Sequence, residues 1–500
     1  MIPRNLSKSK LVSFRQCPKR LWLEIHSPEL AIVSEKSEAI FRTGHQVGEL
    51  ARRLYDAAET GHLIDLKAEG VAASIARTAD LLKERKPIFE AGFAANGAMA
   101  FCDVMLPVEG SESAWRLVEV KASGSVKSYQ RDDAAIQSYI ARNAGVDLVS
   151  FAVAHIDSKW TYPGGGDYRG LLKEIDLTLE ALEREQEVSE WISAAHEVVA
   201  DQNPPAIEPG AHCTDPFECG FSAHCNEGRK QAEFPVEWLP RIQAKALKAH
   251  ITENGVSEMG QVPESLLNEV QKRVQACTVT GQAFFDAEGA KADLQPHPLP
   301  AYFLDFETIA FAVPIWAGTR PFQQIPFQFS QHRLEADGTV QHWSFLDTTG
   351  QDPSRPFAEA LLLVCGTNEP IFVYNAGFES TRLAELADRF PSLGEAIQSI
   401  RRRLVDLWPI AVRRYYHPSQ QGSWSIKKLL PAVVPSLKYG DLAGVSDGGM
   451  AQEAFLEAID PCNQEDRRQE LRKQLLAYCA LDTMAMVKIW QVFAGSELNV

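Results

Sequence analysis

The sequence predicts an α/β protein of more than one domain, and three observations predict it. The chain has 500 residues, more than one ordinary domain holds. Its hydrophobic fraction of 45% and charged fraction of 23% are those of a globular chain. Strand-like and helix-like patterns occur together in two places, 1–229 and 301–500, and a mostly helical spacer, 230–300, lies between them.

The first section opens with helical patterning over 10–24 and 37–57. β-rich segments are expected over 88–108 and 115–121, then a helix at 132–142, a strand at 147–155 and a long charged helix at 168–188. In the spacer, 247–256 reads as a small helix–turn–helix piece, and Pro298 and Pro300 punctuate its end. The third section starts with a strand at 301–306. Asp337-Gly338 then sits between alternating segments at 327–333 and 339–346, a strong hairpin signal. A helix at 356–363, a strand at 370–374 and further helices follow, the last over 464–493. Strands first and helices after, with an antiparallel hairpin, suit an RNase H-like mixed sheet flanked by helices.

Charge and composition narrow the function. The net charge of −16 argues against a general nucleic-acid coat, which is usually basic. It leaves room for an enzyme whose own metal-binding carboxylates add negative charge. The start, Met1 to Lys10, lacks an apolar signal core, and no apolar run reads as long enough to span a bilayer, so a cytoplasmic protein is expected.

An apolar run, Tyr302-Phe303-Leu304, ends in Asp305-Phe306-Glu307. On a strand, positions i and i+2 share a face, so the two carboxylates repel unless a cation lies between them. A third carboxylate follows in Asn375-Ala376-Gly377-Phe378-Glu379. A fourth, Asp482, lies one helical turn after Tyr478 and shares its face. Hard divalent cations take oxygen ligands, and two such ions suit phosphodiester hydrolysis. Tyr478 could orient the attacking water. Each motif alone also fits an ordinary strand end or helix face; the three in order favour a carboxylate site. Asp406 is expected to be structural. Lys427 and Lys428 follow a small-residue turn and could hold phosphate oxygens, as could Arg413 and Arg414, which precede Tyr415 and Tyr416. A solvated charged face is the alternative for these cations.

The first section carries a second constellation. Asp103 follows an apolar stretch, and Glu119-Val120-Lys121 ends a strand. Two carboxylates for a metal with a lysine beside them form a hydrolase pattern. His45 stands on a helix before this core, and Gln137 and Tyr139 stand on the helix after it.

Of nine cysteines, Cys102, Cys277, Cys365, Cys462 and Cys479 sit in apolar or helical contexts and read as core thiols. Cys17 and the trio Cys213, Cys219 and Cys225 sit among polar or turn residues. Four thiolates suit Zn²⁺ or an iron–sulfur cluster.

These motifs carry a resemblance. The third section resembles DnaQ-like 3′–5′ exonucleases of the DEDD class, tyrosine subtype, with Glu379 where that class has Asp. The resemblance implies Mg²⁺ or Mn²⁺ on Asp305, Glu307, Glu379 and Asp482, with Tyr478 beside them. The first section resembles the RecB-like branch of the PD-(D/E)xK superfamily, a restriction-endonuclease-like fold that includes the CRISPR-associated adaptation exonucleases. That likeness implies metal on His45, Asp103 and Glu119, with catalytic Lys121. It also implies a nucleic-acid contact through the helix of Gln137 and Tyr139, and a [4Fe-4S] cluster on Cys17, Cys213, Cys219 and Cys225. The whole is similar to an uncharacterised bacterial family that joins two such domains. The function so implied is a metal-dependent nuclease acting on DNA, most simply single-stranded ends, in defence or repair. An RNA-processing 3′–5′ exonuclease and a nucleic-acid-binding module with one inactive site are the alternatives.

Overall fold

The computed structural model describes residues 4–32, 35–228, 232–437, 439–442 and 444–496. They form a mixed α/β protein of two compact units. The first is 1–229 with 311–323, and the second is 230–310 with 324–500.

The first unit is built on a seven-stranded mixed sheet. Its path runs His62–Leu63, Ile88–Ala95, Ala98–Pro107, Trp115–Lys121, Leu148–Ile156 and Leu172–Asp176, and Leu6–Ser7 pairs with Ala98–Pro107 off that path. Trp115–Lys121 is antiparallel to Ala98–Pro107 and parallel to Leu148–Ile156. Asp103 and Glu119 therefore lie on neighbouring strands. The helix Ser128–Asn143 buries Ala134, Ile136 and Ile140 against one face.

One local reading is resolved further here and two change. The region 88–108 is two strands, because Asn96-Gly97 both take positive φ (50° and 82°) and close a tight hairpin. The helix expected over 10–24 is two, Lys8–Gln16 and Pro18–His26. Pro18 disfavours helical backbone at the residue before it, and Cys17 is extended (φ −162°, ψ 115°). The long charged helix expected at 168–188 is instead an edge strand, Leu172–Asp176, followed by helices Thr178–Glu183 and Glu185–Ala200. An edge strand tolerates charges such as Lys173 and Glu174, which hid it in a charge-based reading.

The second unit holds a five-stranded sheet in the order Val340–Leu346, Ile325–Leu334, Ala301–Ile309, Ile371–Val373, Leu404–Asp406. The first three strands are antiparallel and the last two continue parallel. Asp337-Gly338 makes the expected hairpin turn, with Asp337 Oδ1 accepting from the Thr339 N–H at 2.9 Å. The helix Glu465–Phe493 is long and apolar enough to cross a membrane by length and composition, contrary to the sequence reading. Most of its apolar window (61%) is buried in the protein, where Leu475, Met486 and Phe493 join the core.

The 230–300 segment is helical and belongs to this second unit. Val236, Leu247, Met259 and Val274 share one core with Phe303, Phe372 and Met486. Gly422 shows how close the packing is. A Cβ there would meet the Trp238 carbonyl oxygen at 1.5 Å, and its φ of +75° already favours glycine.

Candidate functional sites

In the second unit, Asp305 and Glu307 leave the central strand, and Asp482 comes from the long C-terminal helix. The three place carboxylate oxygens within 4.8 Å of one another. Burial pushes Asp305 well above the usual carboxylate range, and Asp482, Glu307 and Glu379 add to it. Burial and Asp482 push Glu307 up to about 8, eased by Lys427. Burial pushes Asp482 up to about 6, opposed by the Tyr439 hydroxyl and Lys427.

Glu379 sits in the first turn of the helix Gly377–Arg389, buried at 2% exposure. It acts on Asp305 electrostatically but stands outside the close triad. Its Oε2 has no hydrogen-bond partner, and burial raises the group to about 8. Asp406 explains how that helix is placed. Its Oδ1 accepts from the N–H groups of Asn375 and Trp408, each at 2.9 Å, and its Oδ2 from Ala376 at 3.1 Å. Asn375 is left-handed (φ 72°), so the side chain of Asp406 fixes a turn that the backbone alone resists. The expectation of a structural Asp406 agrees with this geometry.

Tyr478 and Lys427 both reach the triad. The Lys427 ammonium lies 5.0 Å from the Tyr478 ring centre and donates to the Ser446 carbonyl at 2.8 Å. Burial, then Asp482, Glu307 and Asp305, raise the Tyr478 hydroxyl, keeping it protonated. Sequence reasoning missed Tyr439, whose hydroxyl donates to Asp482 Oδ1 at 2.5 Å. No local motif marks it.

The other expected cations do not gather here. Lys428 donates to Gln421 on the surface. Arg414 pairs with Asp286 (2.6 Å) and Asp293 (2.9 Å), and Arg413 with Asp293 (3.1 Å). Tyr415 and Tyr416 are buried, the latter bonded to Thr278. This arginine–tyrosine stretch is thus a clasp between helices, not an open stacking surface.

In the first unit, one cavity of about 460 Å³ is lined by His45, Glu90, Asp103 and Lys121. Glu119 Oε1 accepts from Lys121 and from Lys8, each at 2.7 Å. Lys121 also donates to Asp133 at 2.6 Å, and Gln137 donates to Asp133 at 3.1 Å. Burial works to raise Glu119, but Lys121 and Lys8 outweigh it and hold it well below the usual range. Asp103 goes the other way, up to about 8, through burial and then Glu119. Its Oδ2 accepts from the Val120 N–H at 2.6 Å. Lys8, Glu90 and Asp133 were not read from the sequence. In the structure Glu90 takes a left-handed backbone (φ 58°) where its strand's pairing is interrupted. Tyr139 does not join the cavity. It is buried in the core, and its hydroxyl accepts from Asn96 at 2.9 Å.

Cys17, Cys213, Cys219 and Cys225 surround one small pocket. Burial raises the Cys219 and Cys225 thiols, and the other thiols of the group add to it. Among the described residues, the acidic triad is the group that meets within 4.8 Å. Of the expected core thiols, Cys102, Cys365 and Cys479 are buried, whereas Cys277 is half-buried and Cys462 is exposed.

Carboxyls pushed together and raised, with an orphaned buried oxygen on Glu379, are a donor set that suits hard cations. Residues 302–425 match the model of a family described as "Domain of unknown function (DUF2779)". That stretch contains Asp305, Glu307 and Glu379 and stops short of Tyr439, Tyr478 and Asp482. Over 206 residues the chain is 29% identical to the "Uncharacterized protein MG366 homolog" of Mycoplasma pneumoniae, covering 37% of this chain and 31% of that protein. Both likenesses fit an uncharacterised family, and the chain spans about a third of the length of the relative it matches.

Proposed function

We propose that the chain hydrolyses phosphodiester bonds of nucleic acid, with DNA ends as the leading substrate, at a divalent-metal site in each unit. One observation carries this reading: Asp305, Glu307 and Asp482 converge within 4.8 Å. Tyr478 and Lys427 stand beside them. A sheet of three antiparallel strands continuing into two parallel ones supports an RNase H-like domain for the second unit. Adjacent strands carrying Asp103 and Glu119-x-Lys121 support a PD-(D/E)xK-type core for the first.

Asp305, Glu307 and Asp482 would hold the cations of the second site, with Glu379, whose charge acts on Asp305, as a further candidate, and Asp103 and Glu119 with His45 or Glu90 would hold that of the first. Bound Mg²⁺ or Mn²⁺ would supply a more acidic water and charge neutralisation at the leaving oxygen. The chain's own groups do the rest. Tyr439 holds Asp482 in one orientation. Tyr478 keeps its proton and presents a neutral hydroxyl that can orient a water or a phosphate oxygen. Lys427 brings a fixed positive charge to a site otherwise rich in carboxylates. In the first unit, Lys121 bridges Glu119 and Asp133, which fixes its ammonium at the cavity wall.

Four thiols lining one pocket support a bound metal group, read here as an iron–sulfur cluster. A [4Fe-4S] cluster would tie Cys17 to the 213–225 segment.

The test is cleavage of end-labelled single-stranded DNA, duplex DNA and RNA with Mg²⁺ or Mn²⁺, using Asp305→Ala, Lys121→Ala and the double variant. Each single variant should remove part of the activity and the double variant all of it. Full activity in the double variant would end the proposal.

A further inference from the structure

A second cavity, of about 510 Å³, adjoins the first. It shares Phe41, Lys121 and Tyr129 with the cavity of Asp103 and His45, so the two are limbs meeting at one lysine. The second limb is unlike the first. Lys8, Lys10 and Arg20 line it with Glu24 and Asp133. Lys10 and Arg20 each reach Glu24 at 2.9 Å and Lys8 reaches Glu119 at 2.7 Å, so four cations, Lys121 included, face two lining carboxylates and phosphates would compete with Glu24 for Lys10 and Arg20. Three aromatic rings stand around it: Phe41 (66% exposed), Phe217 (38% exposed) and Tyr129. The Tyr129 and Phe217 rings pack edge-on at 4.6 Å, an angle of 68°.

One exposed phenylalanine needs no explanation, but three aromatics around one basic cavity do. Cations with flat apolar faces match a ligand that alternates phosphates and rings. In a duplex the base faces are already stacked on each other, so such rings reward only unpaired bases. The limb is of ligand-pocket size.

Phe217 has a particular origin. It lies between Cys213 and Cys219, and its carbonyl accepts from Gln16 at 2.6 Å. Gln16 immediately precedes Cys17 and also donates to the His212 carbonyl at 2.7 Å. Arg20 lines both this limb and the pocket of the four thiols. The cysteine loop is therefore one wall of the limb.

Building on the nuclease reading of the first unit, we propose that this limb binds the unpaired nucleotides of a single-stranded end beside Lys121. Bases stack on Phe41, Tyr129 and Phe217, and phosphates meet Lys8, Lys10 and Arg20. The thiol-bearing loop thereby shapes substrate binding as well as closing the fold.

The test uses the full chain carrying Asp305→Ala, so that remaining cleavage reports the first unit. Phe217→Ala should raise KM for a single-stranded 30-mer by about 5- to 150-fold, the span of one lost base–aromatic stack, with kcat little changed. Phe217→Tyr should restore KM. In parallel, single-stranded DNA and RNA carrying 5-iodouracil are photocrosslinked with Ca²⁺ in place of Mg²⁺. The modified peptides should contain Phe41, Tyr129 or Phe217, and the two polymers show which the limb prefers. An unchanged KM in Phe217→Ala, or first-unit crosslinks that avoid all three rings, overturns the proposal. Cleavage that survives Lys121→Ala instead overturns the nuclease reading of the first unit, and the crosslinks still decide the limb. Circular dichroism of Phe217→Ala confirms that the fold is kept.

Discussion

Lys8 donates to Glu119 at 2.7 Å, although the two lie 111 residues apart. Lys121 uses the same oxygen at the same distance. One strand-end carboxylate thus carries two ammonium groups, which is why it stays ionised against its burial. Lys8→Ala leaves Lys121 on both carboxylates, whereas Lys121→Ala leaves Glu119 with Lys8 and also takes the 2.6 Å partner from Asp133. Urea unfolding should show a loss of about 1–3 kcal/mol for the first and about 3–5 kcal/mol for the second. Equal losses would mean that the Lys121–Asp133 pair adds nothing to stability.

Asp406 should matter to the second site without touching it. Asp406→Ala removes three acceptor bonds to Asn375, Ala376 and Trp408. A lost cap of this kind costs about 1–2 kcal/mol. Cleavage that depends on Asp305 should fall as well, because the turn placing Glu379 loosens. Asp406→Asn keeps the acceptor oxygen and should recover most of both, as read by unfolding midpoint and rate.

The raised carboxyls make metal-free stability depend on pH. Glu307 and Glu379 titrate near 8, against the ordinary 4.5 that they regain on unfolding. Between these values the folded state binds more protons than the unfolded one, so stability falls as pH rises. In EDTA, thermal unfolding should therefore come at lower temperature at pH 8 than at pH 5. Saturating Mn²⁺ should flatten or reverse that trend, since a cation replaces the protons. A Tm in EDTA that climbs between pH 5 and 8 would contradict the burial of these groups, and Glu307→Gln should reduce the slope.

Tyr439 should act through Asp482. Tyr439→Phe removes the 2.5 Å hydrogen bond and keeps the ring. Partners of this kind change metal affinity by about 10- to 100-fold. Calorimetric Mn²⁺ titration of the second site should weaken by that order with the fold intact. Unaltered affinity would reduce Tyr439 to a packing residue.

The four-cysteine pocket predicts a colour. Protein purified without oxygen should absorb near 400 nm, roughly where iron–sulfur charge transfer falls, given four thiolate ligands. Cys219→Ser should bleach it and lower the unfolding temperature. A colourless protein holding one zinc per chain would replace the iron–sulfur assignment.

What was legible in the sequence was what local periodicity encodes. Two carboxylates two residues apart inside an apolar run announce Asp305 and Glu307, and a four-residue spacing ties Tyr478 to Asp482. What was not legible depends on distant contacts. Tyr439 reaches Asp482 across 43 residues and Lys8 reaches Glu119 across 111, with no local pattern to mark either. The arginine–tyrosine stretch misled for the same reason. Nothing within 413–416 shows that its arginines meet Asp286 and Asp293 or that its tyrosines point inward.

Residues 311–323 leave the strand of Asp305 and Glu307, yet they complete the first unit, where Val313 packs with Val47, Ile156 and Leu171. No single scission of the polypeptide can therefore release either unit whole. A fragment ending at 229 lacks part of its own apolar filling, and one beginning at 301 lacks the helices that cover Phe303. The two units are thus interleaved along one chain rather than strung end to end.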